Sequence, residues 1–216
     1  MKPFSIISFY FLLSAIFASI NSSFAQSVDT IQIKNRYGVS IIPSRSPNSY
    51  GIQIGPIGSE SVCGYPYYKI SNGVNIQIIG QGLLWMFYPL NAYKKFDIDV
   101  DSTNLDTLKK KDALRAIHNG ILISTLGPID TRINGICISL FHGHGKKLNG
   151  VALNLMRNSY NLANGLEIGL INECGKLKGV QIGLLNFSKK TRGFQFGLWN
   201  VNEKRKLPFI NWSFKD

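Results

Sequence analysis

Histidine and cysteine, the side chains behind much catalytic and metal chemistry, are scarce in this sequence. Three of the 216 residues are histidine and three are cysteine. The cysteines, Cys63, Cys137 and Cys174, are widely spaced and match no zinc-binding pattern, so we expect all three to be unpaired. His118 is the only histidine outside one local pair, so no Ser–His–Asp constellation can be assigned. We therefore expect a protein that is not an enzyme, with no catalytic residues, no cofactor and no evident small-molecule substrate.

The other two histidines stand in the phrase His142-Gly143-His144-Gly145. Imidazoles two residues apart can face one cation, and imidazole suits zinc, copper or nickel. A tight site needs further ligands, and the nearby candidates are only Cys137 and Asp130. The flanking glycines favour a flexible turn instead, and we expect no metal site.

Long hydrophobic runs are also scarce, apart from one at the N-terminus. Lys2 precedes an apolar run from Phe4 to Ile20, and small residues follow at Ser23 and Ala25. This order is typical of a secretory signal peptide over residues 1–25. The alternative is an uncleaved membrane anchor, because the run is only slightly shorter than the roughly 20 residues that span a bilayer. We expect an exported protein of the periplasm, the outer membrane or the cell surface.

Acidic residues are outnumbered, since 12 Asp and Glu stand against 24 Lys and Arg, a net charge of +12. Such a basic balance often indicates nucleic acid, but export makes that partner unsuitable. An anionic glycan or a membrane surface is the class of partner that this charge suits. The interpretation that we favour is simpler: the basic residues are solvated in turns, where they blunt strand edges. The basic residues that fall between the repeats are Lys146-Lys147, Lys176, Lys178, Lys189-Lys190 and Lys204–Lys206.

Glycine, by contrast, recurs at a nearly constant interval in the second half of the chain. Six glycines, 15 or 14 residues apart, each open a similar phrase: Gly120, Gly135, Gly150, Gly165, Gly179 and Gly193. Apolar residues occupy positions two and four of every phrase, and position six of five phrases. Self-similarity at a fixed period predicts a repeat architecture, and the alternation predicts strands. Each repeat is expected to hold one strand of about seven residues and a polar return of similar length.

The alternation also leads to an expectation about burial. Val180, Ile182 and Leu184 share one side of their predicted strand, and Gln181 lies on the other. Successive side chains of a strand point to opposite faces, so we expect the apolar side to form the core. Glu167 holds the same phrase position as Gln181, and we expect both to face outward.

Two all-β architectures fit this repeat. Coils of a β-solenoid stack in parallel, so consecutive repeats resemble each other, whereas an antiparallel meander or a β-barrel alternates its turns between two ends. Here consecutive units resemble each other, and Asn172, Asn186 and Asn200 recur at one strand end, as a stacked side-chain ladder would require. A second recurring set suggests one inward residue from each return: Leu148, Leu162 and Leu177. A β-solenoid is favoured over a meander or barrel.

The repeats extend over a single β-repeat domain, residues 26–216. Similar but less regular phrases begin upstream at Gly38, Gly51 and Gly73. An insertion at about residues 81–118 interrupts them. At the C-terminal end Pro208 replaces the phrase glycine, and proline in sheets is confined to edges. We interpret the last apolar side chains as a terminal cap that closes the core: Ile210, Trp212 and Phe214.

The phrase Gly-x-Gln-x-Gly-Leu-x-Asn, at Gly179–Asn186 and Gly193–Asn200, is followed by Leu207-Pro208-Phe209-Ile210-Asn211. This pattern resembles the bacterial surface-repeat proteins, envelope proteins of Gram-negative bacteria without a settled activity. The resemblance implies an envelope location and supplies no catalytic residues. We expect a non-enzymatic structural or binding scaffold at the cell surface. The alternative is an outer-membrane β-barrel protein.

Overall fold

The described part of the chain is entirely built from β-strands. The computed structural model describes residues 35–43, 46, 48–58, 69–80 and 116–214. Its ten strands form one sheet, and no helix in these ranges is long and apolar enough to cross a membrane. The expected signal peptide, Cys63 and most of the expected insertion lie outside the described residues.

Within the described ranges, no helix separates one strand from the next. In chain order they are β1 (Arg36–Ile41), β2 (Asn48–Gly55), β3 (Lys69–Gln77), β4 (Ala116–Ser124), β5 (Thr131–Ser139), β6 (His142–Asn154), β7 (Arg157–Ile168), β8 (Ile171–Ile182), β9 (Leu185–Val201) and β10 (Lys206–Ser213). Strand β4 begins at Ala116, so the C-terminal end of the expected insertion is already part of the sheet.

Strands β1 to β9 are parallel, and each pairs with the strand that follows it in the chain. Parallel strands paired in this order wind the chain into a β-solenoid of about eight turns. The solenoid that the repeat favoured is confirmed. The meander and barrel interpretations are wrong for the described strands, because only β10 runs antiparallel to its neighbour.

The phrase glycines stack in one column across the nine parallel strands, β1 to β9. Gly165 pairs with Gly179, and Gly73 pairs with Gly120 although the insertion lies between them. Gly179 has a φ of 143°, and a Cβ on it would lie 1.9 Å from the carbonyl oxygen of Gly165. Only glycine fits such a position, since any side chain would combine a strained backbone with an overlap. The even glycine spacing in the sequence is thus a direct consequence of coil stacking.

The returns between the phrases are strands as well as the phrases themselves. Strand β8 runs from Ile171 to Ile182 and covers a return together with the phrase after it. The expectation that the basic residues sit in turns is therefore wrong for most of them, since Lys176, Lys178 and Lys190 lie within β8 and β9. A return can be extended here because its backbone groups pair with those of the coils above and below.

Burial of the two strand sides is the reverse of the sequence expectation. Gln181 and Glu167 are fully buried, whereas Ile182 is 41% and Leu184 46% exposed. The third phrase position therefore points into the coil, and the apolar positions point outward. The expectation failed because alternation separates the two sides of a strand without stating which side the chain encloses.

Apolar side chains inside the solenoid are concentrated in the middle coils. The inward leucines expected from the returns, Leu148, Leu162 and Leu177, are all buried. They belong to or border a buried apolar cluster whose members are Leu122, Ile133, Cys137, Leu148, Ala152, Tyr160, Ala163, Cys174 and Leu177. The coils before and after this cluster hold mainly amides and hydroxyls in the same interior positions.

An interior asparagine ladder provides hydrogen bonds to part of these buried polar groups. The Asn172 amide donates to the Asn186 side-chain oxygen at 2.8 Å, and Asn186 donates to Asn200 at 2.7 Å. The same amides also donate to the carbonyl oxygens of Ile182 and Phe196, at 2.9 and 2.8 Å. The ladder expected from the sequence is confirmed, and its members are fully buried.

A second asparagine ladder, which the sequence reasoning missed, stands directly before the glycine column. From Asn119 onward, each amide of this ladder donates to the side-chain oxygen of the asparagine one coil earlier, at 2.7 or 2.8 Å. Its members are Asn72, Asn119, Asn134, Asn149 and Asn164. They are half-buried, and each immediately precedes a phrase glycine, so the spacing that revealed the glycines could also have revealed this ladder.

Strand β10 closes the C-terminal end of the stack by pairing antiparallel with β9. Its side chains Asn211 and Ser213 are buried, whereas Ile210 and Trp212 are 46% and 41% exposed. The expected cap is present, but its apolar side continues the outer surface rather than covering the core. Phe209, next to Pro208, has a φ of 64° and lies at a register shift in the pairing with β9.

Candidate functional site

Two thiols, a phenol and a carboxyl group, all side chains that can take part in catalysis, lie inside the solenoid. Cys137, Tyr160 and Cys174 are fully buried, and burial raises the pKa of each, to about 12 for the Cys137 thiol. Burial also raises the pKa of Glu167 to about 8, against the opposing effect of the Gln181 amide that donates to it at 2.6 Å. These groups are held neutral and away from solvent, which suits a packed interior and not an open reaction centre.

One ion pair is buried in the same coils. Arg157 donates to a carboxylate oxygen of Glu173, and both side chains are almost inaccessible. Burial raises the pKa of Glu173 to about 7, although the Arg157 charge lowers it. Pairing and hydrogen bonding are what make a charged pair tolerable in an interior. The pair joins coils β7 and β8 and presents no open face to a ligand.

The histidine pair lies at the start of β6 and is buried, so the flexible turn expected there is wrong. Burial, together with the nearby charges of His144 and Arg157, lowers the pKa of His142 to about 3. Nε2 of His144 is 3.6 Å from Oδ1 of Asp130. Over the described ranges, no group of three or more His, Cys, Asp or Glu side chains is placed to hold a metal ion.

The outer surface instead carries an unbroken apolar face, formed by the second and fourth positions of every coil. Register pairing aligns these positions in two columns of ten. The first column contains Val39, Ile52, Val74, Ile121, Ile136, Val151, Leu166, Val180, Phe194 and Trp212. The second contains Ile41, Ile54, Ile76, Ile123, Ile138, Leu153, Ile168, Ile182, Phe196 and Ile210. We call these two columns the apolar face.

None of the twenty side chains in the apolar face is charged, polar or buried. Ile123, Ile138 and Phe196, from separate coils, are 38%, 37% and 38% exposed. Nine strand spacings of about 4.8 Å make the face roughly 43 Å long. Soluble monomers rarely expose a contiguous apolar surface of this extent, and such surfaces mark sites of interaction. The apolar face is therefore the first candidate functional surface.

A basic groove lies beside the last coils. It has a volume of about 410 Å³, and its lining residues are Lys176, Leu177, Lys189, Lys190, Thr191, Arg192, Glu203 and Lys204. Register pairing places Lys176 of β8 directly beside Lys190 of β9, so two lysines occupy the same column in adjacent coils. Like charges opposite each other destabilise a sheet, which makes this groove the second candidate surface.

Sequence reasoning found the members of both surfaces but assigned them different roles. The apolar positions were recognised and expected inside, and the lysines were recognised and expected in turns. The pairing of Lys176 with Lys190 was detectable, because the two residues are one repeat apart. Comparisons of the chain with protein-family models, with curated proteins and with solved structures find no match.

Proposed function

We propose that this protein is an exported, non-enzymatic scaffold of the bacterial cell envelope, and that it binds an anionic membrane surface through its apolar face. The observation that carries the proposal is the reversed burial. Cys137, Glu167 and Glu173 occupy the closed interior, while twenty apolar side chains in register face outward. Export and the envelope location rest on the N-terminal segment and on the surface-repeat resemblance.

Charge favours an anionic membrane over a second copy of the chain as the occupant of the apolar face. The net charge of +12 opposes self-association and attracts anionic headgroups. Lys178 and Arg192 come two residues before Val180 and Phe194, so basic side chains border the C-terminal part of the face. At that end the Arg205 guanidinium lies 4.4 Å from the centre of the Trp212 ring.

Aromatic side chains at the same end also suit a membrane interface. Phe194 stacks with Phe196 at 5.9 Å and meets Phe214 edge-on at 5.2 Å. Trp199 and Trp212 are 43% and 41% exposed. Aromatic rings with a polar edge are favoured where one side is apolar and the other wet.

The test uses protein purified from cells that express residues 1–216. It is mixed with vesicles of phosphatidylglycerol and phosphatidylethanolamine, or of phosphatidylcholine alone, and bound protein is measured by co-sedimentation. We expect binding to the anionic vesicles that weakens as salt rises. The triple variant Ile123→Ser/Ile138→Ser/Ile182→Ser should lose most of it. The matched variant Ile123→Val/Ile138→Val/Ile182→Val keeps the apolar surface and should retain binding.

Two outcomes would overturn this assignment. Equal vesicle binding by the serine and valine variants would show that the apolar face is not the contact surface. A dimer in sedimentation velocity that the serine variant abolishes, with no vesicle binding, would assign the face to a second copy. Fractionation of the expressing cells tests export separately, and protein found only in the cytoplasm would contradict the envelope location.

A further inference from the structure

We propose that the basic groove is a binding site for ligands that carry two or more phosphate or sulfate groups. This inference goes beyond the scaffold function, because it concerns different residues and a different chemistry from the apolar face. It starts from the register of β8 and β9, which places Lys176 beside Lys190. These two lysines line the groove together with three further basic side chains, Lys189, Arg192 and Lys204.

The lysines of the groove have no acidic partner among the described residues. No carboxylate in the described ranges lies within 4.0 Å of the ammonium groups of Lys176, Lys189, Lys190 or Lys204. The charge of these side chains is therefore not neutralised by the described part of the fold.

Among the described residues that line the groove, Glu203 is the single carboxylate, and its oxygens already have other partners. One accepts the Thr191 backbone N–H at 2.9 Å, and the other accepts the Ser213 hydroxyl at 2.9 Å. These bonds tie the β9–β10 turn to both strands, so Glu203 shapes the groove wall. Five of the other seven lining residues are basic, and an anion bridging Lys176 and Lys190 would relieve their repulsion.

The lining also indicates the class of ligand. Lysine binds phosphate and sulfate as a point charge. A groove of about 410 Å³ falls in the range of small-molecule sites. Among the lining residues only Leu177 is apolar and none is aromatic, so an apolar ligand or a stacked neutral sugar ring is not favoured. A ligand with two or more anionic groups matches a lining that holds five basic side chains.

The test measures binding of sodium tripolyphosphate and of orthophosphate by isothermal titration calorimetry, with protein purified as above. We expect tripolyphosphate to bind at least tenfold more tightly than orthophosphate. The variant Lys176→Gln/Lys190→Gln should lose at least tenfold in tripolyphosphate affinity. The control variant Arg36→Gln/Arg132→Gln removes the same charge elsewhere and should change that affinity less than twofold. Unchanged melting temperatures establish that both variants are folded.

No tripolyphosphate binding by the wild type, or equal losses in the two variants, would overturn the site. Failure of the scaffold proposal is distinguishable, because the triple serine variant of the apolar face should keep full tripolyphosphate affinity.

Competition identifies the source of the anionic groups. Displacement of the protein from phosphatidylglycerol vesicles by tripolyphosphate would assign the groove to lipid headgroups. Binding of tripolyphosphate without displacement would assign it to a soluble phosphorylated compound.

Discussion

The third position of each repeat phrase lies inside the solenoid whatever residue occupies it. It holds Leu122 and Cys137 in the apolar middle coils, and Glu167, Gln181 and Gln195 in the coils that follow, all fully buried. Gln195 donates to the Gln181 oxygen at 2.8 Å, and Gln181 donates to Glu167 at 2.6 Å. Amides suit this column because each can accept from one neighbouring coil and donate to the other.

Leucine substitutions distinguish the outer surface from the interior. Leu184→Asp should fold with a loss of less than about 1 kcal/mol, because Leu184 is 46% exposed and its charge would stay hydrated. Leu177→Asp should abolish cooperative folding, because Leu177 is fully buried and the new charge would have no partner. Thermal melts followed by circular dichroism check both variants. If Leu184→Asp failed to fold while Leu177→Asp folded, the apolar side of the phrase would be the enclosed side, contrary to the structure.

The pH dependence of stability provides a test at Glu167. Burial raises its pKa from 4.5 to about 8, so the folded state binds more protons than the unfolded state between those values. This group therefore makes stability fall as pH rises through that window. Glu167→Gln keeps the bond to Gln181 without the charge, and should gain on the order of 2–4 kcal/mol relative to wild type above pH 8.

Urea denaturation at pH 5 and pH 9 measures this difference. The free energies of unfolding of Glu167→Gln and of the wild type should differ at pH 9. They should converge at pH 5, where Glu167 is protonated in the folded protein. Gln181→Glu provides the control of opposite sign, because it adds a second carboxyl group to the same column and should lose more stability at high pH. A constant difference between Glu167→Gln and wild type at both pH values would contradict the burial effect.

Among the elements, the long strands β6 to β9 depend on close contact between backbones at the glycine column. Each phrase glycine from Gly51 onward lies against the carbonyl oxygen of the glycine one coil earlier. One asparagine ladder runs directly before this column, and the other runs at the opposite end of the phrase. Each coil is thus bonded to the next through side chains as well as backbone.

Alanine substitutions test this contact. In Gly179→Ala the Cβ would meet the Gly165 oxygen at 1.9 Å, so the strands must separate. We expect a loss above about 3 kcal/mol or failure to fold, in the range of severe packing errors. Gly38→Ala is the matched control, because its φ is 85° but no atom lies within 4 Å. It should cost only the backbone strain of about 1–2 kcal/mol.

Equilibrium denaturation of both alanine variants gives the comparison. Equal losses would show that the positive φ, and not the backbone contact, requires glycine in the column.

On the scale of the whole molecule, the solenoid must end without offering a regular strand edge to other chains. Strand β10 reverses direction, and it carries Pro208 and a register shift at Phe209. Proline cannot donate to a neighbouring strand, and irregular edges discourage further pairing. The C-terminal strand therefore protects the end of the stack.

Truncation tests this protection. A chain ending at Glu203 lacks β10 and exposes the paired edge of β9, so it should form concentration-dependent oligomers or aggregates. A chain ending at Phe214 keeps β10 and should elute as the wild type does. Size-exclusion chromatography with light scattering compares the two. A monodisperse chain ending at Glu203 would show that β10 is dispensable as a cap.

Repeat length, strand type and stacking direction followed from the sequence, because they depend on local pattern. The even spacing of phrase glycines and the recurrence of Asn172, Asn186 and Asn200 at single-repeat intervals are direct consequences of parallel coils in register. Such periodic features survive in the sequence since every coil meets the same environment.

Which side of the strand is enclosed was decided only by the tertiary structure. Alternation is the same for a strand read from either side, and the usual assumption that the apolar side faces inward placed Glu167 and Leu184 wrongly. The direction depends on how the return crosses back over the phrase, which brings buried amides within hydrogen-bonding distance of each other and of opposing carbonyl oxygens. The same crossing gathers distant lysines into one groove and leaves the apolar columns outside, because side-chain direction in a closed coil is a property of the path of the chain.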